Sequence, residues 1–73
     1  MQKGEKIREI IFLVEETEEG YVARALGHSI YTQADSLDEL RDMVKDAVEC
    51  HFDEEDRPKI IRLHIVRQEV ITL

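Results

Sequence analysis

This chain predicts an α+β fold, three strands followed by one helix and a last strand (β-β-β-α-β). Three observations carry that expectation. Residues 7–34 break at glycines and polar clusters into β-prone runs with a two-residue period. Residues 37–52 switch to apolar positions spaced three and four apart, the period of a helix. Beyond the single proline, Pro58, the two-residue alternation returns.

The elements follow in order. Ile7 to Glu16 is apolar on both sides at its centre, with Ile11 and Leu13 facing one way and Ile10, Phe12 and Val14 the other. Such a strand is expected to be central and covered on both faces. Glu15 to Gly20 is a polar turn closed by a glycine that can take positive φ. Tyr21 to Leu26 alternates Tyr21, Ala23 and Ala25 against Val22, Arg24 and Leu26, and pairs back as a hairpin. Gly27-His28 punctuates the chain. Ser29 to Ala34 is a third strand, with Ile30, Thr32 and Ala34 on one face and Tyr31 and Gln33 on the other.

Ser36 is a good N-cap, and Glu39 stands three residues on, the spacing of a capping box. Ser36 Oγ is expected to accept the Glu39 N–H, and the Glu39 carboxylate to accept the Ser36 N–H. The helix from about Leu37 to about Phe52 places Leu37, Leu40, Met43, Val44, Ala47, Val48 and Phe52 on one stripe. Asp38, Asp42, Asp46, Glu49 and Asp53 fall largely on the opposite side, and Lys45 and Glu49 make an i,i+4 pair. Asp53 to Asp56 oppose the helix dipole, and Arg57-Pro58 ends the helical region.

Lys59 to Val66 or beyond is the last strand, with Ile61, Leu63 and Ile65 on a buried face and Arg62 and His64 on a wet one. The apolar end, Glu69 to Leu73, is expected to pair or pack, a second subunit being one candidate. A right-handed crossover puts the last strand parallel to the first. The expected sheet is four-stranded in the order 3-2-1-4, with the helix on one face. The other face keeps a tyrosine and aliphatic groups, which fits a dimer surface.

Seventy-three residues make one domain, 1–73. A domain of this size buries only roughly 60% of its unfolded surface and gains from a disulfide, a metal or a partner. A single cysteine, Cys50, excludes an internal disulfide, which points to a homo-oligomer. The lone thiol, the lack of a signal-like N-terminus and the lack of any apolar run near the ~18 residues of a membrane span suggest a cytoplasmic protein without membrane contact. The net charge is −7, and residues 35–56 carry ten acids against two bases. That balance repels nucleic acid and attracts basic partners.

No catalytic, cofactor or metal set emerges. Cys50 and His51 are helix neighbours that point apart, and no CxxC, HxxxH or HExxH spacing exists. A two-metal nuclease of the RNase H type needs a carboxylate in mid-strand, where this chain has Ile10 to Leu13. There is no nucleophile elbow and no glycine-rich phosphate loop. Arg62, His64 and Arg67 on the last strand could contact phosphates, but without aromatic interleaving they fit the solubility of an edge strand better.

The run Gly20-Tyr21-Val22-Ala23-Arg24-Ala25-Leu26, followed by Ile30-Tyr31-Thr32-Gln33-Ala34-Asp35-Ser36-Leu37-Asp38-Glu39-Leu40, resembles the HicB-like antitoxin family over roughly residues 7–53. The resemblance implies a partial RNase H-like β-β-β-α-β fold, dimers or tetramers, and an acidic domain that masks a small basic RNA-cleaving toxin of the HicA type. The family's "P-x-L-P-G-C" is here Ala25-Leu26-Gly27-His28-Ser29, without the prolines, and no C-terminal DNA-binding motif follows. The residues expected to meet a basic partner are Asp38, Asp42, Asp46 and Glu49. The alternative is an orphan, self-associating structural domain. Short chains of this pattern are sometimes labelled a 2-oxoisovalerate dehydrogenase subunit, but nothing here could hold thiamine diphosphate.

Overall fold

The computed structural model describes residues 8–67 and 69–73. Its elements are β1 (Glu9–Thr17), β2 (Gly20–Ala25), β3 (Tyr31–Ala34), α1 (Leu37–His51) and β4 (Ile60–Val66). The sheet order is β3-β2-β1-β4, with β1–β2 and β2–β3 antiparallel and β1–β4 parallel. This is the expected α+β architecture. The expected start of the first strand at Ile7, and the N-terminal residues read for a leader, lie outside the described residues.

Alternation in β1 decides the layering. Ile10, Phe12 and Val14 are buried under α1, together with Ala23, Ala25, Ile30, Leu40, Val44 and Val48. Phe12, Val14, Ala23 and Leu40 are fully inaccessible. The helix supplies Leu40, Val44 and Val48 at four-residue steps, while Leu37, Ala47 and Phe52 pack at the margin. Met43, expected on the buried stripe, lies at its edge and is 39% exposed. The opposite face of β1, with Ile11 and Leu13, is half-buried, and no element among the described residues lies over it. Among those residues the expected cover on both faces is met on one.

The helix axis lies closest to β3 and β2, towards one side of the sheet. This corrects the reading of the last strand. Ile61 and Leu63 are half-buried against the core, but Ile65 is 50% exposed, because α1 does not extend over the far end of β4. The apolar tail also departs from expectation within one chain. Val70 and Ile71 are about four-fifths exposed and residues 69–73 form no strand.

Two turns set the strand ends. The Glu18-Glu19 turn is tied by Glu19 N–H donating to Thr17 Oγ1 (3.2 Å) and by Thr17 Oγ1 donating to the Gly20 carbonyl (3.2 Å). Gly20 has φ +141, and a Cβ there would collide with the Ala34 carbonyl oxygen at the end of β3. The third strand is shorter than expected. Gly27, at φ +85, swings the chain out, so Ser29 and Ile30 stay in the loop, while Ile30 is still buried and its carbonyl accepts the Ala25 N–H (3.0 Å).

Candidate functional site

The helix that carries the expected partner-binding acids is fixed at its start by the predicted cap. Ser36 Oγ accepts the Glu39 N–H at 3.1 Å. The return bond is displaced by one residue from the expectation, since Glu39 Oε1 accepts the Asp35 N–H (3.3 Å), not that of Ser36. Asp38 and Glu39 occupy the first turn, where the dipole favours negative charge. At the other end Phe52 takes an extended conformation and its N–H donates to the Val48 carbonyl (3.1 Å). The helix thus ends at His51, and the acidic run 53–56 follows directly on the Phe52 cap, with residues 54–56 in a turn.

Asp38, Asp42, Asp46 and Glu49 are all exposed and lie opposite the buried Leu40–Val44–Val48 stripe. They are held in one row by helical spacing alone. Asp38 is paired with Arg41, which donates through Nη1 to Asp38 Oδ1. Among the described residues, the carboxylates of Asp42, Asp46 and Glu49 meet no cation, and the expected Lys45–Glu49 pair is absent. Glu49 contributes instead through its carbonyl, which accepts a hydrogen bond from Arg57 at 3.2 Å. The row is a line of mostly uncompensated negative charge about 16 Å long at the ~1.5 Å rise of a helix.

The basic residues near the sheet are committed differently. Arg62 Nε is 3.0 Å from Glu9 Oε1 across the parallel β1–β4 pair, and Arg67 Nε is 4.0 Å from Glu16 Oε1. Arg8 Nη1 reaches the Asp56 carbonyl (3.3 Å) and, at 3.9 Å, its carboxylate. These exposed pairs each contribute little to stability, ~0–1 kcal/mol. Their effect is to leave β4 without a concentrated positive stripe.

One grouping was not visible in the sequence. His28, His51 and Phe52 meet edge to face, with centroid separations of 6.0 Å (His28–His51), 5.1 Å (His28–Phe52) and 4.9 Å (His51–Phe52). The signal was topological. A helix capped beside the end of β3 must run back over the β2–β3 loop, so its last turn arrives at His28. Among the described residues no group of three or more His, Cys, Asp or Glu side chains is arranged to hold a metal ion. Cys50 is exposed and free.

Two open depressions flank the helix. A groove of about 670 Å³ follows the outer side of β3, between Tyr21, Ala34 and Met43 on the helix side and Val22, Tyr31 and Gln33 on the other, rimmed by Glu18, Glu19, Asp35 and Glu39. A smaller one of about 270 Å³ lies between α1 and β4, with Val44, Ile61 and Leu63 as its floor and Arg41 and Lys45 at its rim. Neither lining contains a histidine or a cysteine. Among the described residues, two buried polar atoms lack a partner, Thr32 Oγ1 and Arg57 Nε. No helix among the described residues is long and apolar enough to cross a membrane.

Fold and surface together define a small α+β domain with one helix on a four-stranded mixed sheet, its charge gathered on the helix and its apolar groups left on open faces. Comparison with known proteins places it further. The chain belongs to the UPF0150 family. It is 72% identical over 58 residues to a UPF0150 protein of Archaeoglobus fulgidus, a match covering 80% of this chain and 88% of that one. It is 42% identical over 67 residues to a UPF0150 protein of Thermotoga maritima, covering 90% and 94%. No family model and no solved structure matches the chain.

Proposed function

We propose that this protein is a non-catalytic binding module of the HicB antitoxin type, which uses the row Asp38, Asp42, Asp46 and Glu49 to mask a small basic protein such as a HicA-like toxin. The observation that carries the reading is the exposed row itself, in which three of four carboxylates form no ion pair within 4.0 Å among the described residues. A basic partner would supply the missing charge without removing an internal contact. Charge of one sign on a rigid element speeds encounter and sets orientation.

The test is co-expression with a small basic protein encoded in the adjacent reading frame. Complex formation should weaken as the four acids are neutralised to Asn or Gln and as salt is raised. Binding unchanged with all four neutralised would remove the role of this row. Lack of any complex with an adjacent basic protein would remove the antitoxin reading.

A second reading is favoured by a separate observation. The sheet face away from α1 carries Ile11, Leu13 and Val22 half-covered, with Tyr31 62% and Val66 46% exposed. Such a face suits a self-associating cytoplasmic domain, joined through this surface or through the last strand. Sedimentation at micromolar concentration checks it, with a monomer of 8.6 kDa as the outcome that rejects it.

A further inference from the structure

We infer that two copies of this chain join edge to edge through β4 and the tail beyond it, as antiparallel strands in the register that sets Arg67 of one copy against Glu69 of the other. The inference refines the self-association reading by naming its interface, and it rests on that reading.

The segment Leu63-His64-Ile65-Val66-Arg67-Gln68-Glu69-Val70-Ile71-Thr72-Leu73 is palindromic in its chemistry. Paired with a copy of itself in that register, it sets Val66 against Val70, Ile65 against Ile71, Leu63 against Leu73 and His64 against Thr72. Arg67 then faces Glu69 of the second copy, twice. Cross-strand pairs of like apolar groups and of opposite charges stabilise antiparallel sheets. Sliding the register by two residues in either direction sets Arg67 against Arg67 or Glu69 against Glu69. A slide by one residue would turn the apolar set to the wrong face. The segment therefore specifies a single register.

The structure leaves this segment ready for such a mate. β4 is an edge strand, paired only with β1. Ile65 and Val66 are about half exposed, and Val70, Ile71 and Leu73 are almost bare. The strand register puts Leu63 and Ile65 on the α1 side, opposite Phe12 and Val14. Continued alternation puts Ile71 and Leu73 on that side too. Leu73 of the second copy then lies beside Leu63, a floor residue of the empty groove between α1 and β4. Arg67 gives up little on pairing, because its contact with Glu16 is 4.0 Å long and solvent-exposed.

The same pairing inside one chain would be a hairpin with Arg67-Gln68-Glu69 as its loop. Loops of that length favour glycine at a left-handed position, and this segment offers neither glycine nor asparagine.

The test is a charge exchange read by sedimentation equilibrium, with circular dichroism to confirm the fold. Arg67→Glu alone and Glu69→Arg alone should each weaken the dimer about tenfold, since each variant sets like charges against each other at two symmetric places. The double variant should restore it. In a Cys50→Ser background, Val66→Cys combined with Val70→Cys should give a covalent dimer under mild oxidation, because directly opposed residues stand about 4.5–5.5 Å apart at Cα. Thr72→Cys should not, its copy being about 27 Å away along the strands. Failure of the double variant to recover overturns the register. A dimer that survives removal of residues 69–73 and ignores both single charge changes overturns this interface and leaves self-association standing. A wild-type monomer at every concentration overturns both.

Discussion

Replacing Gly20 by alanine isolates the cost of one close backbone approach. Gly20 holds φ +141, and its missing Cβ is the space filled by the Ala34 carbonyl at the end of β3. Adopting that backbone region costs a non-glycine residue about 1–3 kcal/mol. Forcing β2 away from β3 adds an overpacking cost of about 1–3 kcal/mol. With partial relaxation the loss should be about 3 kcal/mol, against a total of roughly 4–11 kcal/mol for a domain of this length. For such a domain that loss lowers Tm by roughly 12–24 °C. Gly27→Ala is the internal control. Its φ is +85 but nothing lies within 4 Å of the added carbon, so only the backbone cost remains. That cost is about 1 kcal/mol, or roughly 4–8 °C. Thermal melts followed by circular dichroism, at one protein concentration for all variants, compare the two. Equal losses at both positions would refute the claim that β2 and β3 are held by a contact only glycine permits.

Ser36→Ala removes the acceptor for the Glu39 N–H and should cost about 1 kcal/mol in urea unfolding at unchanged m-value; an unaltered midpoint would show that the cap carries no weight. Thr32→Val should be neutral or stabilise by up to about 1 kcal/mol, because the buried Thr32 hydroxyl has no hydrogen-bond partner to lose. A clear loss on the same denaturation curve would mean that the hydroxyl is satisfied by water.

The fold was legible because each element obeyed one strong local rule. Ile10, Phe12 and Val14 declared a strand face by alternation, and Leu40, Val44 and Val48 declared a helix stripe. Ser36 and Glu39 marked the helix start to the residue, although the return bond went to Asp35, since local spacing fixes a cap but not which of two adjacent N–H groups a flexible carboxylate meets. Coverage was less legible. Ile65 follows the same alternation as Leu63 yet stays half exposed, because where a helix lies across a sheet depends on the crossover and not on the strand. The candidate acids were readable as a row from helical spacing. Their pairing was not, and Arg41 rather than Lys45 supplies the intrahelical ion pair. The His28–His51–Phe52 contact joins residues 23 positions apart and needed the path of the helix over the loop to be known first.

β1 is an inner strand of this sheet, and its parallel neighbour β4 follows it only after β2, β3 and α1. While the ribosome is still releasing the chain, β1, β2, β3 and α1 can find one another through short loops, and one edge of β1 stays bare. Closing the sheet brings together segments about fifty residues apart, such as Phe12 with Leu63. Loop-closure entropy makes contacts of that span slow to form. Until β4 arrives, β1 therefore carries an uncapped, apolar strand edge, which is the interval in which a chaperone or a second chain has most to grasp.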